Sequence, residues 1–418
     1  MCGIVSNEMR LMLAALVAWQ VVSSDMVTNA SGKGNLMNSE YVRDNFEALV
    51  GTSSGCPLAF LWTSVSGYPS GVVDGGEESG HVKFSGLTFC SASEFDAIAE
   101  LVLQMFEDGE IEAPKANRLA FHSSALYSAA AGRSGLGGPN GGWFRLEANK
   151  NFKGNAGLPE TVDVLLRLIE EKYPCITFAD LVTFTGAILT EAAGGPAIAW
   201  MAGRMDALHT PSNPPLAARL PDASFSIAAV NYFYTQIGLT EREIVALNSG
   251  GHSFGAADLT ASGWNGSFTS AADVWPTPKN KYLVDTFAYQ WEPQVVSSEI
   301  GTRIQYVLAD GQGVDPFTEE GSHIIRLPSD VAILTQGGNL TAWAYEYSQN
   351  ETLFLADFAR IMQRVSQLGA GESWSIDESY VWLGMNGTAT NYGTSISPQD
   401  GIPISSVNDG MEVLIGKN

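Results

Sequence analysis

From Glu94 onward, apolar residues recur at the three-to-four-residue spacing of helices that bury one face. Glycine, proline and capping pairs mark the ends of these segments; Thr240 and Glu243, for example, have the spacing of a capping box. The pattern predicts seven helices, over residues 94–109, 114–130, 157–174, 177–195, 226–238, 239–251 and 352–369. Long strands are hard to find in this region, so we expect a mostly α domain over residues 94–370.

The two ends of the chain have different patterns. Arg10 precedes an apolar run, Leu11 to Val22, that is too short to span a bilayer, and residues 1–24 are therefore predicted to be a secretory signal peptide. Residues 25–93 are rich in Gly, Ser and Pro without sustained periodicity, which predicts an irregular N-terminal extension. Residues 371–418 predict a polar C-terminal tail. No later segment has the length and apolarity of a membrane helix, so no membrane partner is expected.

Composition and charge narrow the class of protein. The 418-residue chain is 45% hydrophobic, which is ample for a packed core in one large domain or two fused domains. It has 45 acidic and 22 basic residues, and its formal net charge is −23 at pH 7. Such a surface would repel a polyanion, so nucleic acid is not an expected partner.

Glycosylation sequons and cysteines bear on the cell compartment. The Asn-X-Ser/Thr sequons begin at Asn29, Asn265, Asn339, Asn350 and Asn386. They fit a secreted, extracellular glycoprotein. Cys2 would leave with the signal peptide; Cys56 and Cys90 could then form one disulfide, which would leave Cys175 unpaired and buried. The sequence has no cysteine and histidine spacing typical of a zinc site.

Two histidines stand in contexts that suggest chemistry. His252 follows Gly250 and Gly251 at the end of a predicted helix, where a flat ligand could approach and an imidazole could bind a metal, especially a haem iron. The alternative is a histidine favoured there by the helix dipole. His122 lies one helical turn after Arg118 and beside Phe121, which suits a base next to a group that stabilises negative charge. The alternative is a partly buried histidine with a solvated arginine.

Seven segments occur in the same order and at similar spacing as in the plant, fungal and bacterial haem peroxidase superfamily. They are NRLAFHSS, GNAGLPETVDVLLRLIEEKYPCITFADL, EAAGGPAIAWMAGRMDA, ARLPDA, GLTEREIVALNSGGHSFG, SGWNGSFT and RLPSDVAIL. The resemblance covers residues 94–370 and is nearest to the branch of ascorbate and cytochrome c peroxidases. It implies a two-lobed helical fold that holds haem b between distal and proximal helical halves.

The same resemblance implies a role for five polar side chains. His252 would be the axial ligand of the haem iron, with Asp330 as the acceptor for its other ring nitrogen. On the opposite haem face His122 would move a proton within bound hydrogen peroxide, Arg118 would stabilise the developing charge, and Asn155 would orient His122.

Other positions depart from the nearest branch. Phenylalanines, Phe121 and Phe268, stand at the two haem-face positions where that branch has tryptophan, which resembles the secreted peroxidases. Ala261 replaces the arginine that holds ascorbate, and Lys115 argues against a Mn(II) site. Ser123 replaces the aspartate of the distal calcium site. This mixture resembles the secreted hybrid-type peroxidases of fungi.

The expected function is a haem peroxidase that uses hydrogen peroxide to oxidise small, phenol-like organic donors in one-electron steps through a ferryl intermediate. The alternatives are a catalase-like peroxide scavenger and a non-catalytic secreted interaction protein on the same scaffold. A proximal monovalent or calcium ion could involve Ser253 and Thr269, but its other ligands do not align and it is not assigned. Candidate surface electron relays are Trp143, Trp200, Trp264 and Trp291, although core packing is the commoner role of such residues. Oligomeric state is not predicted.

Overall fold

The computed structural model describes most of the chain after Phe89. The described residues are 82–84, 87–128, 137–207, 215–220, 223–224, 234, 237–312, 323–335, 338–369 and 380–390. The chain divides into two compact units between Phe89 and Cys90. The predicted signal peptide, Asn29, Cys56, most of the predicted extension and most of the predicted helix over residues 226–238 lie outside the described residues.

In the first unit the structure describes a short antiparallel hairpin. Strands β1 (Val82–Phe84) and β2 (Leu87–Phe89) pair with Val82 opposite Phe89. This hairpin falls within residues 25–93, for which no regular element is predicted.

The second unit is mostly helical, as the sequence pattern predicts. Its α-helices are α1 (Ala92–Glu107), α2 (Ala113–Ser124), α3 (Glu147–Lys150), α4 (Pro159–Glu171), α5 (Phe178–Ala192), α6 (Glu241–Gly251), α7 (Leu259–Ser262), α8 (Lys281–Ala288), α9 (Pro328–Thr335), α10 (Gly338–Gln349) and α11 (Glu351–Val365). Short 3₁₀ helices cover Trp143–Arg145, Lys153–Asn155 and Ala217–Arg219. Six of the seven predicted helices are confirmed, as α1, α2, α4, α5, α6 and α11.

Local chemistry explains where the helices begin. Ser91 and Glu94 form a capping box at α1, and Thr240 and Glu243 form the capping box predicted for α6. At α5, the Thr177 side chain accepts a hydrogen bond from the third residue of the helix. These caps satisfy backbone N–H groups that have no partner within the helix.

Helix α5 is the central element of the core. Every residue from Phe178 to Thr190 is buried, so this helix has no solvent face. It packs closely against α2. Gly186 allows this approach, since a Cβ atom there would lie only 2.5 Å from the Cβ atom of Ala120. Helix α6, which ends just before His252, packs against α10 and α11.

Gly250 has a different role from the one predicted. A Cβ atom at Gly250 would overlap the ring of Phe358, which packs under α6, whereas nothing lies within 4 Å of the corresponding position at Gly251. The first glycine therefore allows close packing against α11. Only the second leaves space of the kind expected for a flat ligand.

An unpredicted antiparallel sheet interrupts the helices. Strands β6 (Trp291–Ser298) and β7 (Gly301–Leu308) form a hairpin in which Val295 lies opposite Ile304, and β7 also pairs with β8 (Ile325–Arg326). The expectation that this region holds no long strand is wrong. Both faces of β6 are partly exposed, so its sequence lacks the strict apolar and polar alternation of a half-buried strand.

Two pairs of two-residue strands complete the regular structure of the described residues. Strand β3 (Trp200–Met201) pairs with β9 (Val381–Trp382), and β4 (Ala256–Ala257) pairs with β5 (Gly266–Ser267). Residues from the predicted C-terminal tail thus pair with the peroxidase-like region. Among the described residues, no helix has the length and apolarity needed to cross a membrane.

The disulfide expected from the sequence is wrong. Cys90 pairs with Cys175, with the two Cα atoms 4.8 Å apart, so Cys175 is not a free thiol. The bond joins the start of α1 to the segment just before α5, across 85 residues of sequence. The two cysteines are too far apart in sequence for spacing alone to reveal the pair.

Candidate active site

Helix α2 brings Arg118 and His122 to one face, one turn apart. His122 Nδ1 lies 2.7 Å from Asn155 Oδ1, and the Asn155 amide donates to the carbonyl of Asn149 at 2.6 Å. Because the Asn155 amide nitrogen is engaged elsewhere, its oxygen faces His122 and accepts the Nδ1 proton. The other ring nitrogen, Nε2, is then free of a proton and can accept one.

Arg118 is anchored to the same loop that carries Asn155. Its guanidinium donates to the carbonyl oxygens of Gly154 at 2.7 Å and Ala156 at 2.9 Å. The residue is only partly exposed. The protein atoms around the guanidinium remove it from water, and this burial lowers its pKa to about 10. The group remains a cation near neutral pH, with further N–H groups available beyond those two hydrogen bonds.

The surroundings of His122 keep its ring neutral. Burial, followed by the positive charge of Arg118, lowers the pKa of His122 to about 3, although the hydrogen bond to Asn155 acts in the opposite direction. The charge of a protonated His252 also lowers it. An imidazole with this pKa is available as a proton acceptor across the ordinary pH range.

On the other side of the site, His252 caps the C-terminal end of α6. Its Nδ1 lies 2.8 Å from Asp330 Oδ1 in the first turn of α9. The second carboxylate oxygen of Asp330 accepts the backbone N–H of Leu327 at 2.8 Å. The imidazole is 27% exposed and the carboxylate 0% exposed, so the ring lies between a buried anion and an open space.

Sequence reasoning missed a further donor to this carboxylate. Asn248 Nδ2 donates to Asp330 Oδ1 at 3.1 Å. Burial alone would raise the pKa of Asp330, but the charge of His252 and the hydrogen bonds from His252, Leu327 and Asn248 lower it. The signal was present in the sequence, because a residue four positions before His252 lies on the same helix face.

Aromatic rings flank both histidines. Phe268 stacks on His252 with ring centroids 4.2 Å apart and an interplanar angle of 17°, and Phe121 meets His122 edge-on at 5.7 Å. Tyr282 lies edge-on to His252 at 6.3 Å. Burial, with the Asp330 charge, raises the pKa of Tyr282 well above its ordinary value, so its hydroxyl stays neutral.

Six other residues singled out in the sequence lie in ordinary structural contacts. Ser253 and Thr269 are fully buried; the Ser253 hydroxyl donates to the Ser249 carbonyl, and the Thr269 hydroxyl donates to those of Ser253 and Ala271. Lys115 forms an ion pair with Glu112. The ring N–H groups of Trp200, Trp264 and Trp291 donate to Thr183, Ile304 and Thr286 respectively.

The arrangement therefore has two imidazoles, one on α2 and one at the C-terminal end of α6, and a charge on His252 affects the pKa of His122. Each uses Nδ1 in a short hydrogen bond, and no described residue hydrogen-bonds to either Nε2 atom. The peroxidase family model matches residues 98–348, which include both histidines. The chain belongs to the peroxidase family.

Individual relatives agree with this membership. The peroxidase is 33% identical to a protein of Aspergillus fumigatus named as a heme-binding peroxidase, over 66% of this chain and 80% of the relative. A protein of the same name from Pyricularia oryzae is also 33% identical, with 66% and 87% covered. A mitochondrial cytochrome c peroxidase of Cryptococcus neoformans is 30% identical, with 68% and 71% covered. The expected haem-dependent peroxidase activity is thereby confirmed.

The residues around His252 fit the haem cofactor of this family. An imidazole whose Nδ1 donates to a buried carboxylate is held in the tautomer that leaves Nε2 free to bind iron. The ring also borders open space, and the flat Phe268 ring supports it on one side. His252 is therefore the residue that would hold the iron, and Phe121 and Phe268 would pack near the porphyrin.

Proposed function

We propose that this peroxidase binds haem b through His252 and uses hydrogen peroxide to oxidise small, phenol-like organic donors in one-electron steps. The observation that carries the proposal is the pairing of His122, held neutral with Nε2 free, with His252, held against the Asp330 carboxylate. The bound haem would supply the redox chemistry that consumes peroxide and oxidises the donor.

The distal residues manage the proton and the charge of peroxide cleavage. His122 Nε2 would take a proton from one oxygen of hydrogen peroxide and return it to the other oxygen, which would leave as water. Asn155 keeps the proton on Nδ1 during both transfers, because its own amide is fixed by Asn149. The Arg118 cation stabilises the negative charge that develops on the leaving oxygen.

A second candidate donor is a basic protein such as cytochrome c. Some relatives are named as cytochrome c peroxidases, and the net charge of −23 would attract a cationic partner. Against it, Phe268 offers a ring that is harder to oxidise than tryptophan at the position stacked on His252. We favour the small organic donor because it can meet the haem edge without a relay through this ring.

We also propose that the peroxidase is secreted and glycosylated. Disulfides such as Cys90–Cys175 persist in oxidising compartments, and Asn265, Asn339, Asn350 and Asn386 are all exposed. Expression in a eukaryotic secretory host, with the band shift on glycan removal as readout, tests this. Protein retained in mitochondria and free of glycan would contradict it.

The functional test is stopped-flow absorption at the Soret band of the haem-loaded protein with one equivalent of hydrogen peroxide. A change complete within milliseconds, followed by faster recovery with guaiacol than with reduced cytochrome c, supports the proposal. Faster recovery with cytochrome c would favour the protein donor. Oxygen release without any donor would instead identify a catalase-like scavenger, and the absence of a Soret band would remove His252 as the ligand.

A further inference from the structure

Asn248 and His252 share one oxygen atom of a buried carboxylate. Asn248 lies on α6 and His252 caps the end of that helix, and their side-chain nitrogens are 3.1 Å and 2.8 Å from Asp330 Oδ1. The opposite oxygen, Oδ2, accepts the Leu327 backbone N–H at 2.8 Å. The two side chains therefore compete for the charge on Oδ1.

This competition would affect an iron bound at Nε2, the other nitrogen of the His252 ring. A carboxylate that draws strongly on the Nδ1 proton gives the ring more anionic character, and an anionic ring stabilises ferric over ferrous iron. A second donor to the same oxygen spreads its charge and weakens that pull. The effect is strong here because the Asp330 side chain is wholly buried, where water does not screen it.

We propose that Asn248 is a positioning residue that sets the ferric-to-ferrous equilibrium of the iron by limiting how strongly Asp330 draws the Nδ1 proton of His252. The inference rests on the proposed role of His252 as the iron ligand. It assigns Asn248 no contact with peroxide or donor. Its action passes through two other side chains.

The alternative is that Asn248 only holds α6 against α9. Such a role would alter stability but would not depend on the Asp330 charge. The neighbouring Ser249 offers a matched control: it is fully buried on the same helix, and its hydroxyl has no hydrogen-bond partner among the residues that the structure describes. Exchanging it for alanine removes a buried polar group from α6 without touching Asp330.

The test compares wild type, Asn248→Leu and Ser249→Ala as haem-loaded full chains. The readouts are the ferric/ferrous midpoint potential by spectroelectrochemical titration and the iron–histidine stretch of the ferrous protein by resonance Raman. Asn248→Leu removes the donor at similar volume and should favour ferric iron by about tenfold, which is about 59 mV to more negative potential for one electron. The iron–histidine stretch should move to higher frequency. Ser249→Ala should change neither.

A second background separates the charge effect from a structural one. In Asp330→Asn, the Asn248→Leu shift should disappear, because no carboxylate charge remains to be shared. A potential that does not move in Asn248→Leu, moves to positive values, or moves equally in the Asp330→Asn background overturns the proposal. If Asn248→Leu loses haem, Asn248→Ala takes its place with the same expected direction. Loss of haem from both variants would show a structural role and overturn the proposal.

Failure of the ligand assignment would be visible before any of these variants. Wild-type ferrous protein without an iron–histidine stretch would contradict His252 as the ligand. A wild-type protein with that stretch, and an Asn248→Leu variant indistinguishable from it, would contradict only the role of Asn248.

Discussion

The two histidines of the site differ less in their own geometry than in what holds them. His122 and His252 each use Nδ1 in one hydrogen bond, of 2.7 Å and 2.8 Å. The acceptor is a neutral amide, Asn155, on one side and a buried carboxylate, Asp330, on the other. A neutral acceptor fixes the tautomer and leaves a mobile proton site at Nε2, whereas a carboxylate makes the ring a stronger metal ligand.

The two histidines also differ in the charged group that lies nearest to each. Arg118 places a cation beside His122, and with burial it lowers the pKa of that ring to about 3. His252 instead has an anion behind it. In the proposed function, one type of side chain would therefore serve as a proton carrier or as a ligand according to the charge of its neighbours.

The largest expected effect is on the proton carrier. His122→Leu removes the proposed distal base, so the rate of peroxide cleavage should fall by about three orders of magnitude while haem remains bound. Stopped-flow absorption at the Soret band measures the rate, and the resting spectrum shows that haem is retained. Ser123→Ala, on the same helix, is the control and should react at the wild-type rate. An unchanged rate in His122→Leu would remove this residue from the mechanism.

A smaller loss is expected at the distal cation. Arg118→Leu should slow peroxide cleavage by about a hundredfold, because charge on the leaving oxygen is then stabilised only by solvent and hydrogen bonds. Arg118→Lys keeps the charge but not the fork of donors to Gly154 and Ala156. Its rate of peroxide cleavage should therefore lie between those of the wild type and Arg118→Leu. A lysine variant as slow as the leucine variant would show that geometry, rather than charge, is what the arginine contributes.

The pH dependence of the peroxide-cleavage rate separates the two causes of the lowered His122 pKa, which are burial and the charge of Arg118. A folded-state pKa of about 3 means that the base is neutral above that pH, so the wild-type rate should stay constant from neutral pH down to about 4 and fall below it. Burial contributes most to the lowering and Arg118 contributes next. In Arg118→Leu the fall should therefore begin at higher pH. A profile with the same midpoint in both proteins would contradict the influence of this charge.

The parts of the fold that could be predicted from the sequence are those that depend on interactions between residues close together in the chain. Helices α1, α5 and α6 could be predicted because their caps and their patterns of apolar residues are local. The β6–β7 hairpin could not, since both its faces are partly exposed. Cys90–Cys175 was missed because nothing local distinguishes one distant cysteine partner from another.

The site shows the same division. The family resemblance supplied the pairs His122 with Asn155 and His252 with Asp330, and the structure brings each pair within hydrogen-bonding distance. Asn248 was not predicted, because its partner lies 82 residues away and only the fold brings the two together. Helical spacing could place it beside His252 but could not show which oxygen it reaches.

The smallest expected effect on rate, and the sharpest test of the proximal side, is at Phe268. Its ring stacks on His252 at 4.2 Å, and phenylalanine is harder to oxidise than tryptophan. Wild-type protein mixed with peroxide should therefore show no tryptophan radical coupled to the iron by electron paramagnetic resonance. Phe268→Trp should show one, with peroxide cleavage nearly unchanged because the distal residues are untouched. A radical of equal intensity in the wild type would mean that another aromatic residue is oxidised, and one candidate is Tyr282, which lies edge-on to the same imidazole. Loss of the signal in Tyr282→Phe would then place the oxidised ring beside His252 after all.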